Sequence, residues 1–208
     1  MPDQGRNEEE LAEARRRVAD VFDALGIPYE IVIHPPIFSA AERAEKQVEV
    51  DGLICKNLFL RNKDKSKYYL YTLPIDKRAD LVALQKALGE TRLSFGDAEA
   101  LWEMLHIQPG SVSLLNIIGA REMRPITGDA NHGDGPFDRL AYQKVRPRDW
   151  RPRDWSTYSL KFLVDAEVLK ETRIGVHPND NAATIVFPPD RLTDIFGHYG
   201  VDFEFISL

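Results

Sequence analysis

Apolar residues recur along this chain with two periods, and the switches between them lay out its elements. Leu11, Val18, Val21, Phe22 and Leu25 fall at helical spacing with Gly26 as a stop, so the pattern predicts an opening helix. Residues 1–7 read as a disordered lead. Tyr29 to Ile33 reads as a strand broken by His34-Pro35-Pro36, and Ser39 with Glu42 three residues on has the form of a capping box that opens a short helix. A strand over about 55–61, the polar stretch Asn62-Lys63-Asp64-Lys65 and a return run from Tyr68 to Leu73 predict a hairpin. Helices are expected over roughly 79–88, ended by Gly89, and 97–105. Pro109-Gly110-Ser111-Val112-Ser113 then turns the chain into another strand.

Residues 119–158 break the pattern. They are rich in Gly, Pro, Asp and Arg, and they hold the tandem repeat Arg146-Pro147-Arg148-Asp149-Trp150 and Arg151-Pro152-Arg153-Asp154-Trp155. So long a stretch with little periodicity reads as an insertion. Beyond it, Lys161 to Val164 is a strand and Ala166 to Lys170 a helical turn. A strand over 182–187, a helix from Pro188-Pro189 to about His198 and a last strand, Asp202 to Ile206, complete the chain. Strands alternating with helices, plus one hairpin, imply an α/β (α+β) fold with a mixed sheet, as a single domain over residues 1–208 carrying the insertion.

With 208 residues, 43% of them apolar and 29% charged, one substantial core is the expectation. No apolar run is long enough to span a bilayer and the acidic N-terminus lacks a signal-peptide core, so a cytoplasmic protein with no membrane partner is expected. The net charge of −6 disfavours extensive wrapping of nucleic acid, because such affinity comes from neutralising phosphates, but it allows a local pocket to hold a short single-stranded end. A single cysteine, Cys55, excludes an internal disulfide and a Cys-based metal site. His106, His132 and His198 share no zinc-like spacing with carboxylates, so no metal is expected.

Two short stretches place reaction-capable side chains against apolar runs where folding does not ask for them. Lys56-Asn57 stands at the mouth of Leu58-Phe59-Leu60, and Gly175-Val176-His177-Pro178-Asn179 leads through Asp180 and Asn181 into the buried-looking run Ala182 to Phe187. One pocket lined from both is the working expectation. Lys56 reads either as a solvated strand-edge lysine or as an anchor for a phosphate or ribose oxygen. Asn57 either orients ribose hydroxyls or ties down a loop. His177 serves proton transfer or substrate bonding near neutral pH, or is a structural histidine. Asn179 and Asn181 fit turn-stabilising bonds better than substrate contact. Gly110 permits close backbone approach, or belongs to an ordinary Pro-Gly turn. His34 reads as turn structure on a loop able to rim the pocket. Alternation points Cys55 away from Lys56, so a buried, inert thiol is expected.

Taken in order, these motifs resemble the YbaK/ProX aminoacyl-tRNA editing family, free-standing relatives of the editing domain inserted in bacterial prolyl-tRNA synthetase. The resemblance runs from Gly26-Ile27-Pro28-Tyr29 through His34-Pro35-Pro36-Ile37-Phe38, Lys56 to Leu60, Pro109 to Ser113 and Val164-Asp165 to the segment from His177 to Thr184. It is nearest to the ProX type, and it implies a sheet that is mixed but mainly antiparallel, flanked by helices. It also implies a metal-free, cofactor-free deacylase acting on Ala-tRNA(Pro). The partners implied are the acceptor end of a mischarged tRNA and prolyl-tRNA synthetase. Lys56, His177 and Gly110 are implied as catalytic, and Asn57, Ser111, Ser113, Asn179 and Phe38 as substrate-binding. The substrate's own ribose hydroxyl would help activate water, which fits a chain with no G-x-S-x-G elbow and no triad spacing.

Two departures stand out. Leu114 follows Ser113 where the family has a Pro, and the 119–158 insertion is longer than the family's. Leu114 keeps open a deacylase for another small aminoacyl-tRNA such as Cys-tRNA. A non-catalytic module binding aminoacyl-tRNA or a synthetase is the alternative outside enzymes. The Arg/Trp repeat is the best local candidate for RNA contact, since arginine pairs with phosphate while tryptophan stacks on bases; packing of both tryptophans on the domain or on a second subunit is the alternative. If the repeat touches tRNA, replacing Arg146, Arg148, Arg151 and Arg153 together by Ala raises the Michaelis constant for tRNA steeply with salt; kinetics identical to the parent at every salt concentration would discard RNA contact there.

Overall fold

A computed structural model of the protein describes residues 8–37, 40–105, 107, 112–118 and 159–208. Helix α1 (Glu8–Ala24) turns Val18 and Phe22 fully inward and ends at Gly26, whose φ of 61° is the left-handed conformation that glycine adopts without strain. Then come strand β1 (Glu30–Ile33), helix α2 (Ala40–Glu45), and strands β2 (Leu53–Asn62) and β3 (Lys67–Pro74). Helix α3 (Leu81–Ala87), strand β4 (Leu93–Phe95) and helix α4 (Ala98–Leu105) follow. After 119–158 come β5 (Ser159–Asp165), a 3-10 turn (Ala166–Lys170), β6 (Ile174–Val176) and β7 (Ala183–Phe187). A second 3-10 turn (Pro189–Arg191), helix α5 (Leu192–Tyr199) and β8 (Asp202–Ile206) close the chain.

The strands form one sheet in the order β1-β7-β6-β2-β3-β5-β8, with β4 beside β2. Pairings β1/β7, β2/β3, β2/β4 and β6/β7 are antiparallel; β2/β6, β3/β5 and β5/β8 are parallel. The sheet is therefore mixed and mainly antiparallel, as the resemblance implied. Alternation along β3 explains its central place. Tyr68 and Leu70 join the larger core with Val18 and Phe22 of α1, Leu101 and Met104 of α4 and Ile195 and Phe196 of α5. Tyr69, Tyr71 and Leu73 face the smaller core with Leu84 of α3 and Leu163. A strand covered on both faces must be apolar on both.

Two elements differ from expectation. The strand expected after Ser113 is absent: residues 114–118 form a turn and one helical turn. Asn116 Oδ1 accepts from the Ser113 N–H at 2.5 Å and Ser113 Oγ accepts from the Leu115 N–H at 3.2 Å, local bonds that favour a turn over an extended chain. Strands β4 and β6, of three residues each, were not anticipated, because so short a run carries no period. The lead at 1–7, Ser39 and the 119–158 insertion lie outside the described residues.

A buried carboxylate closes the end of β5. The Tyr71 hydroxyl donates to Asp165 Oδ2 at 2.6 Å, Lys77 Nζ lies 2.9 Å from the same oxygen, and Oδ1 accepts the Glu167 N–H at 3.0 Å, capping the 3-10 turn. Burial pushes the Asp165 carboxyl up, but those three donors outweigh it and hold the carboxyl below its ordinary value. The stabilisation is present above the unfolded carboxylate's pKa and is lost as pH falls through the lower folded one. Tyr71→Phe, which removes one donor from this carboxylate, is expected to lower unfolding stability by about 2 kcal/mol in urea titration at neutral pH. A change under about 0.5 kcal/mol would mean that the hydroxyl contributes nothing net.

Candidate functional site

Strand β2 shares one edge between two partners that run in opposite directions. Parallel β6 pairs with it only at Leu53↔Ile174 and Ile54↔Gly175; antiparallel β4 takes the same edge from Leu60↔Phe95 to Asn62↔Leu93. The Gly96 N–H bonds Phe59 O at 2.9 Å, so between Ile54 and Phe59 no described strand covers that edge. Continued two residues, the β2/β6 register brings Lys56 level with His177, just past the end of β6. Side chains gathered where parallel strands part are a recurrent form of ligand site. Gly175 lets the strands approach before they part: a Cβ there would lie 2.7 Å from Ile54 Cδ1 and 3.0 Å from Thr184 Cγ2.

The loop from His177 to Ala182 is anchored on several sides. Ser113 Oγ donates to the His177 carbonyl at 2.6 Å, and Asn116 Nδ2 donates to Asn179 Oδ1 at 2.9 Å. Asn179 is buried with φ 60°, a conformation asparagine tolerates better than most residues. Asp180 is ion-paired with Arg15 of α1 and accepts the Ala182 N–H at 2.8 Å. The N–H groups of His34 and Ile37 donate to the carbonyls of Ala182 and Asn181, each at 2.9 Å. The Asn181 carboxamide is buried, and among the described residues it has no hydrogen-bond partner that would give it the turn-stabilising role expected of it. Leu114, the departure from the family pattern, is fully buried in the larger core.

Lys56 and Asn57 leave β2 on opposite faces. Asn57 accepts at Oδ1 from the Thr72 hydroxyl at 2.7 Å, on the side of Cys55, Phe59 and Leu70. Lys56, half-buried, alternates with Leu58 and Leu60 on the other face and donates from Nζ to the Ile75 carbonyl at 2.7 Å. A ligand touching both must lie along the edge that no described strand covers. The expectation for Cys55 holds: it packs in the core, and burial pushes its thiol up to about 12. The structure thus gathers Lys56, Asn57, His177, Ser113 and Asn179 around one parting of the sheet. Phe38, Gly110, Ser111 and the arginines at 146, 148, 151 and 153 lie outside the described residues.

A hydrogen-bond chain behind His177 was not anticipated. Arg43 of α2 donates from Nη2 to Thr184 Oγ1 at 2.6 Å and from Nη1 to the Val48 carbonyl at 3.1 Å. His34 holds Thr184 Oγ1 at 2.9 Å with Nε2 and the Pro35 carbonyl at 2.9 Å with Nδ1. A carbonyl only accepts, so His34 Nδ1 carries the proton and Nε2 accepts from the threonine hydroxyl, which in turn accepts from Arg43. Likewise His177 Nδ1, 3.3 Å from the Ala183 carbonyl, carries the proton and leaves Nε2 as an acceptor. Burial pushes both imidazoles below their ordinary value, and the positive charge of Arg43 pushes each further down. One sequence signal was available: no acid stands three or four residues either side of Arg43, at 39, 40, 46 or 47.

Residues 34–130 match the family model for the aminoacyl-tRNA editing domain. The prolyl-tRNA editing protein ProX of Acetoanaerobium sticklandii is 28% identical over 196 residues, which cover 94% of this chain and 98% of that protein. The prolyl-tRNA synthetase associated domain-containing protein 1 of Mus musculus is 30% identical over 159 residues, 66% of this chain and 94% of that protein. A solved structure described as a candidate trans-editing enzyme for prolyl tRNA synthetase superposes with a TM-score of 0.53 at 17% identity, covering 92% of this chain and 95% of that one.

The neutral histidines have a measurable consequence. The unfolded chain binds protons at His34 and His177 near the ordinary 6.5, while the folded protein does so only at lower pH, so stability falls as pH drops below about 6.5. Thermal melts should give a steady midpoint from about pH 8 to 7 and a decline towards pH 5.5. His34→Gln should flatten part of that decline; an identical slope in the variant would remove His34 from the balance.

Proposed function

The chain belongs to the aminoacyl-tRNA editing domain family and so is a hydrolase, an aminoacyl-tRNA deacylase, and from that premise we propose that it releases alanine from Ala-tRNA(Pro) at the uncovered edge of β2. The observation carrying this reading is the parting of β2 and β6 with Lys56 and His177 on either side of it. The ester joining an amino acid to the terminal ribose is activated, so its hydrolysis needs positioning, charge stabilisation and a water more than a strong nucleophile.

The free valences of the site suit that task. Lys56 has three N–H donors and spends one on Ile75, leaving two for a phosphate or ribose oxygen, and no carboxylate pairs with it among the described residues. Asn57 has its oxygen engaged by Thr72, so its amide nitrogen is the end offered to a ligand oxygen. His177, neutral at physiological pH with Nε2 as acceptor, suits the substrate's ammonium or a ribose hydroxyl. Ser113 and Asn179 hold the loop that carries His177 and act as positioning residues in this reading. Selection for alanine over proline would come from pocket size, a sensible device because a synthetic site cannot strongly reject the smaller amino acid. Burial of Leu114 in the core supports the alanine reading over a shifted pocket.

Alanine release from Ala-tRNA(Pro), measured with EDTA present, should be rapid for the parent and fall about a hundredfold or more in Lys56→Ala. No release by the parent would remove alanine on tRNA(Pro) as the substrate. Equal release by the variant would remove Lys56 from the chemistry.

A further inference from the structure

Among the described residues Arg43 is a charge with no counter-charge. Its side chain is half-buried on α2, burial alone disfavours its charged form, and no carboxylate pairs with it among the described residues. Arg15, Lys77, Lys161 and Arg173 all contact acids. Arg43 acts on two imidazoles, His34 and His177, both held below their ordinary value mainly by burial and uncharged at physiological pH. Asp180, the nearest acid acting on His34, already pairs with Arg15. A cation drawn partly out of water with nothing negative beside it is costly unless something negative arrives.

We infer that Arg43 is a phosphate-binding residue of this site, holding the phosphate on the 5′ side of the terminal nucleotide of the substrate. The inference rests on the tRNA reading above for the identity of the anion, but on the unpaired guanidinium for its existence. The reacting end of an aminoacyl-tRNA carries a cationic amine and a neutral ester, so its nearest negative charge is that phosphate. Arg43 is built to take it. Of five N–H donors, one is spent on Val48 and one on Thr184, which leaves three, and those two bonds hold the guanidinium in a fixed orientation. Thr184 is the second residue of β7, which the loop of His177 leads into, so the same anchor keeps the guanidinium in register with that loop.

The test compares adenosine with adenosine 5′-monophosphate as ligands of the full chain, by calorimetry, for the parent, Arg43→Lys and Arg43→Gln, with thermal melts to show that each is folded. The parent should bind the monophosphate about tenfold more tightly than adenosine, and Arg43→Gln should bring that ratio close to one, while Arg43→Lys keeps part of it. A parent ratio near one, or a ratio that survives in Arg43→Gln, overturns the inference. Deacylation assays then separate it from the reading it rests on. If Arg43 holds the phosphate, Arg43→Gln raises the Michaelis constant for Ala-tRNA(Pro) about tenfold more than that for alanyl-adenosine, which lacks the phosphate. Equal losses on both substrates would make Arg43 a positioning residue acting through Thr184, and the inference would fall. An Arg43-dependent phosphate preference without alanine release would leave the anion site standing and discard the substrate.

Discussion

Everything near the site depends on one edge of β2 having to serve two strands of opposite direction. β6 pairs for two residues and stops; β4 arrives only at Leu60. The stretch between cannot be an ordinary sheet interior, and Lys56 and Asn57 stand on it. Its floor is firm, because β3 pairs with β2 along the whole opposite edge, from Cys55↔Pro74 to Arg61↔Tyr68. A continuous ladder on one edge and, among the described residues, an interrupted one on the other give a rigidly supported site whose second edge no described strand covers. Side chains based on strands held this way keep their positions better than those on free loops.

Charge around this opening is arranged against the average of the chain. The protein is acidic, with net charge −6, and a polyanionic substrate approaching it from a distance would be repelled. That repulsion is screened within about 8–10 Å at physiological salt, so recognition has to come from cations at contact range. Lys56 and Arg43 are free of acidic partners among the described residues, and the two histidines beside Arg43 are neutral. Elsewhere the ion pairs serve structure: Arg15 with Asp180 fastens α1 to the loop that follows β6, and Lys77 with Asp165 closes the end of β5. The same residue types do different work according to whether their counter-charge is built in.

Much of the fold was legible because long periodic segments leave a strong signal. α1, the β2/β3 hairpin, β7 and β8 fall where the apolar spacing put them. What failed was short or local. Strands β4 and β6, of three residues each, owe their existence to pairing with β2 rather than to any pattern of their own. The strand expected after Ser113 lost to bonds among Ser113, Leu115 and Asn116 that a periodicity argument does not weigh. At the site, Lys56 and His177 could be singled out as polar intrusions beside apolar runs, and alternation correctly turned Cys55 inward. The same alternation separates Asn57 from Lys56, so a pocket lined by both has to be an edge rather than a face. Arg43 escaped notice because its partner, Thr184, is 141 residues away.

The order of donors in that chain also constrains how the site can behave. Arg43 can only donate and the Pro35 carbonyl can only accept, so with His34 neutral each link runs one way, from guanidinium to threonine to imidazole to carbonyl. A second proton on His34 would set two donors facing each other between Nε2 and the threonine hydroxyl. Thr184 would have to turn its proton away and accept from both neighbours, and two positive charges would then flank one oxygen. The network therefore resists protonation of His34 through bonding as well as through burial. With His34 uncharged, Arg43 keeps a single orientation; burial holds the His177 imidazole neutral, and the positive charge of Arg43 adds to that. The acceptor face of His177 is thus set by burial and by the Ala183 carbonyl, and reinforced by Arg43, which no described hydrogen bond joins to it.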